Sequence, residues 1–457
     1  MKRLLVLFCL WACMASVVLH AEESNMILVT DNGLEMFHWD LDFIRSAQES
    51  VEISAPFMGG EIARELLTTL ESRLEQVSKL KVYILTTPTL LEKEDWTILE
   101  RLHKRFPDRF HLEHASTIVI VWPTVTGIDN HVKTCIIDEK YFSTGGTNLD
   151  ETQCSEGTWT PHKNLNKIPF LSNNLPAGMR DQDIVGRGPL ASDLRHAFFT
   201  MYAMWENYNK TGLLIKDPQK FKEKTYYYPV SSQSHVAHFE SSPNLRALKS
   251  DQIKIFIGGP HQNQNAISEE YLRLIQEARE EIIISNLYFC PIDSIFNALL
   301  DAVNRGVKLT VITNGVGDVA PLYTQFFCWA NRMSYVPAIY GSAFHFWDAW
   351  SMASKPLKNT RIYEYHVKDV LLHKKIMIVD EKVSLVGSYN LGVRSDMGDY
   401  EMVVRMNCPE IAADLKRVQE KDLRHSREIS SEEACSWYFD PVKASLGEMQ
   451  KRVHGLI

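Results

Sequence analysis

The residues with the clearest chemical content come as a duplicated set. His131-Val132-Lys133-Thr134-Cys135-Ile136-Ile137-Asp138 and His373-Lys374-Lys375-Ile376-Met377-Ile378-Val379-Asp380 both read H-x-K-x-x-x-x-D. Each is followed by a small turn ending in Asn, Gly145-Gly146-Thr147-Asn148 and Gly387-Ser388-Tyr389-Asn390. The step from His to Asn is 17 positions in both copies, and eight of the 18 positions in the two windows are identical. A single H-x-K is usually no more than two polar residues on one strand face. Two copies with matched turns predict an internal duplication that carries chemistry on each half.

The flanking Ile, Met and Val residues make each motif a strand, and residues i and i+2 of a strand share a face. His131 and Lys133 therefore point the same way, as do His373 and Lys375. Asp138 and Asp380 fall at an odd offset, where they are expected to anchor the following turn. If the halves pack about a pseudo-twofold axis, two imidazoles and two ammonium groups meet in one cleft, a set that suits a phosphodiester. A neutral imidazole is a nucleophile toward phosphorus, and a protonated one can give its proton to the leaving alkoxide. The lysines would hold the non-bridging oxygens, joined by side-chain N–H donors from Asn148 and Asn390. With lysines supplying positive charge the scheme needs no metal and no cofactor.

A nucleophilic histidine also gains from a carboxylate on its other ring nitrogen. Glu401, 21 residues after Asp380, stands at the right place in the second copy. Its first-copy counterpart is Asp181, at an offset of 43, with Asp183 as a competing candidate. The larger offset reflects an insertion, Thr152–Gly178, rich in Asn, Pro, Ser and Gly, which reads as a loop.

These groups need a frame, and the frame repeats as well. Met26–Val29 reads as a strand, Leu41–Ser50 as a helix, Val51–Ala55 as a strand, Ile62–Val77 as a helix, Lys81–Leu85 as a strand and Trp96–Phe106 as a helix. The order returns with strand Lys254–Ile257, helix Glu269–Glu280, strand Glu281–Ser285, helix Ile292–Asn304 and strand Val307–Thr313. Aligning Leu41–Ala55 with Leu272–Asn286 gives six identities in 15, including Leu41/Leu272, Ala47/Ala278 and Ser54/Ser285. Strand–helix–strand alternation predicts an α/β fold of two fused, pseudo-twofold-related halves. Each would carry a mostly parallel or mixed sheet flanked by helices, and the two would share one active site. The expected halves are 22–227 and 243–457, joined through Tyr228–Ser242. Leu415–Arg427 reads as a charged helix and the chain from Met449 as frayed. Leu322–Trp350 is an insertion of the second half with 10 aromatic residues in 29.

A length of 457 residues exceeds one ordinary core, and 45% hydrophobic with 23% charged residues is a globular composition. A net charge of -8 removes the simplest electrostatic argument for a nucleic-acid ligand. Lys2 and Arg3, followed by the apolar run Leu4–Val18, read as an export signal over 1–21 with cleavage near Ala21. Six cysteines remain after it, without the C-x-x-C spacing of a zinc site.

The two motifs, with Asn148 and with Gly387-Ser388-Tyr389-Asn390, resemble the paired HKD motifs of the phospholipase D superfamily. Asn286-Leu287-Tyr288-Phe289, Arg305-Gly306-Val307, Arg394-Ser395 and Gly186-Arg187-Gly188-Pro189 are similar to its bacterial cardiolipin-synthase-like branch. The resemblance covers most of the chain after the signal. It implies halves of phospholipase D type and a metal-independent, two-step transfer through a phosphohistidine. It also implies His131 as nucleophile and His373 as acid and then base. One departure is the N-terminus, where typical cardiolipin synthases carry membrane helices and this chain has a signal-like segment.

The expected substrate is a phospholipid, acted on by hydrolysis or phosphatidyl transfer in a monomer that holds both motifs. The aromatic insertion 322–350 either meets a lipid interface and lines an acyl groove, or packs a lid or core. The alternatives are an exported nuclease using the same chemistry, with those aromatics stacking on bases, and a non-catalytic effector. Two intact motifs argue against the last. The basic runs Lys374-Lys375 and Lys355–Arg361 are modest support for the nuclease.

Overall fold

A computed structural model describes residues 24–87, 93–117, 119–121, 124–157, 178–217, 220, 234–261, 263, 265–316, 322–341 and 355–454. The expected signal peptide, most of the Thr152–Gly178 loop, the first part of the Tyr228–Ser242 connection and residues 342–350 of the aromatic insertion lie outside them.

Two mixed eight-stranded sheets dominate the chain. The first runs, in spatial order, Arg246–Leu248, Asn25–Val29, Ile184–Arg187, Tyr141–Thr144, Thr134–Ile137, Ser50–Ser54, Lys81–Thr86 and Phe110–His114. The second runs Ile253–Gly258, Glu401–Asn407, Val383–Gly387, Lys375–Val379, Glu281–Asn286, Lys308–Asn314, Thr360–Tyr365 and Ser426–Glu428. Seven strands correspond in order and direction. Ser50–Ser54, Lys81–Thr86 and Phe110–His114 pair in parallel, as do Glu281–Asn286, Lys308–Asn314 and Thr360–Tyr365. The motif strand lies antiparallel to the first strand of each trio. The eighth strands break the symmetry on opposite edges. Arg246–Leu248 pairs with Asn25–Val29 in the first sheet, and the first strand of the second sheet is Ile253–Gly258.

Helices cover both faces, which is why the motif strands are buried throughout. Helices Gly33–Ser46 and Gly60–Gln76 pack on the outer face of the first sheet through Phe37, Leu41, Ile44, Leu66 and Leu70. Asn32 caps the first of these, accepting from the Glu35 amide. The outer face of the second sheet is covered by Ala266–Glu277, Asp293–Asn304 and Leu322–Tyr340. Between the sheets lie Leu190–Thr211 and Pro409–Leu423. One continuous core joins Ile136 and Phe142 of the first half to Ile378, Val386 and Val404 of the second. The halves thus share a buried apolar interface.

Several local expectations shift. The first helix starts at Gly33, eight residues ahead of Leu41, because its apolar face already includes Met36 and Phe37. The charged helix spans Pro409–Leu423. Met449–His454 is helical instead of frayed, as part of helix Pro441–His454, which lies against Leu322–Tyr340 with Gly447 facing Met333 and the Trp329 carbonyl; 455–457 lie outside the described residues. Leu322–Tyr340 is itself a helix, and Tyr335, Val336 and Ile339 bury it in the second core. Of the aromatic residues in the insertion, Trp329, Tyr335 and Tyr340 pack in this core.

Candidate active site

Backbone exchange between the halves builds the site. Asp129–His131 runs beside Asp399–Glu401, with the His131 amide donating to the Tyr400 carbonyl at 2.9 Å and the Tyr400 amide to the Asp129 carbonyl at 2.8 Å. In the other direction Val370–Leu372 pairs in parallel with Gly178–Arg180, and the His373 amide donates to the Arg180 carbonyl at 2.8 Å. Each motif histidine thus follows a segment hydrogen-bonded to the opposite half, next to the residue that precedes that half's carboxylate.

The consequence is crossed pairing. His131 Nδ1 lies 2.9 and 3.0 Å from the two oxygens of Glu401, and His373 Nδ1 lies 2.6 Å from Asp181 Oδ2. Burial, and then the lysines of both motifs, hold both imidazoles well below their ordinary pKa. The shift favours the neutral ring, in which Nδ1–H donates to the carboxylate. That tautomer leaves Nε2 bare. Burial also pushes Glu401 up to about 7 and Asp181 up to about 6, against the pull of Lys133 and Lys375 respectively.

Lys133 and Lys375 are almost wholly buried. Lys133 Nζ donates to the His131 carbonyl at 2.6 Å; Lys375 Nζ donates to the His373 carbonyl and lies 2.9 Å from His373 Nδ1. Desolvation lowers Lys133 to about 7 and Lys375 to about 8. A bound anion would stabilise the charged form of both. Lys374, between the motif residues, is turned the other way. It donates to Asp422 and to Gln182 Oε1 (3.2 Å), while Arg180 Nε donates to Asp422 Oδ1 at 2.7 Å, so a buried ion cluster ties the halves together. With side chains fully enclosed, Lys374 and Lys375 form no exposed basic surface.

The supporting residues divide. Ser388 Oγ donates to Glu401 and accepts from the Met402 amide at 3.0 Å, which fixes the carboxylate. The Asn390 backbone N–H donates to Ser395 Oγ at 3.2 Å, and its buried side-chain Oδ1 has no partner among the described residues. Asn148 sits deeper. Its Nδ2 donates to Gln153 Oε1 (2.8 Å) and its Oδ1 accepts from the Phe57 amide (3.2 Å), so this side chain braces its own turn. The glycines make room for carboxylates. A Cβ on Gly146 would stand 2.6 Å from Asp181 Oδ1, and one on Gly145 would stand 2.2 Å from Asp183 Oδ1.

Asp138 and Asp380 do not reach the site, and the turn each anchors is not the following one. Asp138 accepts from the amides of Gln48, Glu49 and Ser50 at 2.7 to 2.8 Å. Asp380 accepts from those of Arg279, Glu280 and Glu281 at 2.7 to 3.2 Å. Each clamps the helix-to-strand turn of its neighbour strand from a left-handed conformation, with φ of 54° and 52°.

Asp183, the competing candidate for Asp181, binds the Thr147 amide (3.1 Å) and hydroxyl instead of a histidine. The sequence reading missed the role of Arg394, which pairs with Asp399 through two 2.7 Å bonds beside Asp129 and helps hold His131 neutral. The only signal for it was the Arg394-Ser395 string.

Residues 271–423 match the family model described as cardiolipin synthase, PLD-like domain. A stretch of 192 residues is 27% identical to cardiolipin synthase A of Buchnera aphidicola, covering 40% of this chain and 34% of that protein. A stretch of 189 residues is 27% identical to cardiolipin synthase A of Pectobacterium carotovorum, covering 41% and 33%. The matches thus span about a third of the length of those relatives. The fold is similar to that of phosphatidylserine synthase of Haemophilus influenzae, with TM-score 0.63 and 14% identity over 94% of this chain and 95% of that one. The architecture and the motif site define a two-half phospholipase D fold. Within that fold, residues 271–423 are similar to the PLD-like domain of cardiolipin synthases.

Proposed function

We propose that the chain transfers or hydrolyses phosphatidyl groups of phospholipids through a phosphohistidine. The crossed His131–Glu401 and His373–Asp181 pairs carry the reading, because they set two neutral imidazoles of opposite halves beside the same two lysines. One Nε2, that of His131 in the family's usual assignment, attacks phosphorus. The P–N bond forms as the P–O bond to the headgroup breaks. The other histidine, protonated once the substrate phosphate offsets the lysine charge, gives its proton to the departing alkoxide. It then removes a proton from water or an alcohol, which attacks the phosphohistidine and frees the enzyme. Lys133 and Lys375 hold the non-bridging oxygens throughout.

Phospholipid is preferred over nucleic acid as substrate. The two sequence relatives described above are cardiolipin synthases, and Lys374-Lys375, one of the two basic runs in the sequence, is buried. Export through the N-terminal apolar segment would deliver the enzyme to envelope lipids as a monomer with a complete site. The test offers purified protein a labelled phospholipid with and without a primary alcohol, with and without a chelator, and single-stranded DNA in parallel. Chelator-resistant headgroup release or alcohol transfer supports the proposal. Cleavage of DNA alone would overturn the substrate, and a strict divalent-metal requirement would overturn the mechanism.

A further inference from the structure

Beside the first motif lies a small pocket with several polar side chains in its lining. Its lining includes Asp40, Cys135, Ser143, Thr147 and Asp183, next to Lys133. Strand register and the repeat alignment match these five to Tyr271, Met377, Leu385, Tyr389 and Val403. In the second half all five belong to one apolar cluster, with the Tyr271 and Tyr389 rings 5.5 Å apart. Five large apolar side chains in one half thus correspond to two carboxylates, two hydroxyls and a thiol in the other. Asp40 sits on the core-facing side of helix Gly33–Ser46 at 1% exposure, and its Oδ1 has no hydrogen-bond partner among the described residues. A buried carboxylate oxygen aimed into a polar space is a site for water.

We propose that Asp40 and Asp183 share one proton through water held in this pocket, and that this pair sets the ionisation of Asp181 and hence of its partner His373. Asp183 is two residues from Asp181, just before strand Ile184–Arg187, which leads away from the site. Burial raises Asp40 to about 8 and Asp183 to about 7, with Asp183 acting on Asp40 and Asp181 on Asp183. Asp183 also acts on Lys375. The other titratable groups facing the pair are Lys133, which lines the pocket, and the thiols of Cys135 and Cys154, both held protonated by burial. Two buried carboxylates that have only Lys133 in the lining between them cannot both ionise cheaply, so they titrate as a coupled pair. Asp40 and Asp183 are positioning residues, since neither reaches the reacting atoms.

The pair is tested first without turnover, by following carboxyl signals of the full chain carrying 13C-labelled aspartate through a pH titration. Signals are assigned by their loss in Asp40→Asn and Asp183→Asn, with Asp40→Ser replacing the first if it does not fold. The expected result is that both carboxyls titrate above pH 6, and that removing one moves the other's midpoint down by about one unit. Either carboxyl titrating near pH 4, or two independent midpoints, would overturn the pair. The link to the site rests on the proposed function and is read separately, as kcat/KM against pH with phospholipid. Asp183→Asn should move the whole profile to lower pH, because Asp181 then ionises more readily and Lys375 loses a nearby anion. An unmoved profile in the folded, active variant would refute that link. Absence of all phospholipid turnover in the wild type would instead refute the proposed function and leave the titration result standing.

Discussion

His131 and Glu401, 270 positions apart, share a bidentate contact in which Nδ1 lies 2.9 and 3.0 Å from the carboxylate oxygens. The His373–Asp181 contact, 192 positions in the opposite sense, is its mirror. Each half orients the other half's imidazole, so neither half holds a complete acid–base pair by itself.

Single substitutions on either side should therefore be equally damaging. His131→Ala and His373→Ala are expected to remove turnover, and Glu401→Gln and Asp181→Asn to lower kcat by about a thousandfold or more through loss of the correct tautomer. Steady-state rates on phospholipid, with circular dichroism to verify folding, check this. Near-wild-type activity in either alanine variant would show that the motifs do not share a site.

The rate should be bell-shaped in pH. The carboxylates orient the histidines only when ionised, so activity falls as pH drops through about 7 and 6, the values of Glu401 and Asp181. The lysines hold phosphate only when charged, so activity and anion affinity fall as pH rises through about 7 and 8, the values of Lys133 and Lys375. A phosphodiester inhibitor of constant charge isolates the alkaline limb, and its Kd should weaken steadily above pH 8. A Kd flat to pH 10 would contradict the lysine assignment.

Asp138 belongs to stability and not to chemistry. Asp138→Ala strands three amides and leaves a non-glycine residue without a polar side chain at φ 54°. A loss of about 2–4 kcal/mol in urea unfolding is expected, with kcat of the folded fraction within a few-fold of wild type. A collapse of kcat at unchanged stability would return Asp138 to the active site.

Much of this was legible in the sequence. Duplication of H-x-K-x-x-x-x-D with its turn, and the strand–helix–strand repeat, give two like halves because periodicity is local. Glu401 and Asp181 could be picked out because they fall at matched places after each motif. That they cross over could not be read, since it depends on Tyr400 and Arg180 pairing with the other half's motif segments, a contact with no local signal. The Asn148–Phe57 contact and the turn held by Asp138 could not be read for the same reason: Phe57 and Gln48 lie 91 and 90 positions away and are brought in by tertiary packing. Leu322–Tyr340 left lipid contact and packing equally open, because a helix buried on most sides carries no amphipathic stripe.

The central claim is that one phosphoryl-transfer site is built from both halves, with a histidine as covalent carrier. Its most direct measurement is mass spectrometry of enzyme quenched in alkaline detergent during turnover of a short-chain phospholipid. The account predicts a phosphatidyl adduct on the peptide bearing His131, accumulating in His373→Ala and absent in His131→Ala. Turnover of the lipid with no adduct on either motif histidine, in the wild type and in His373→Ala alike, would contradict it.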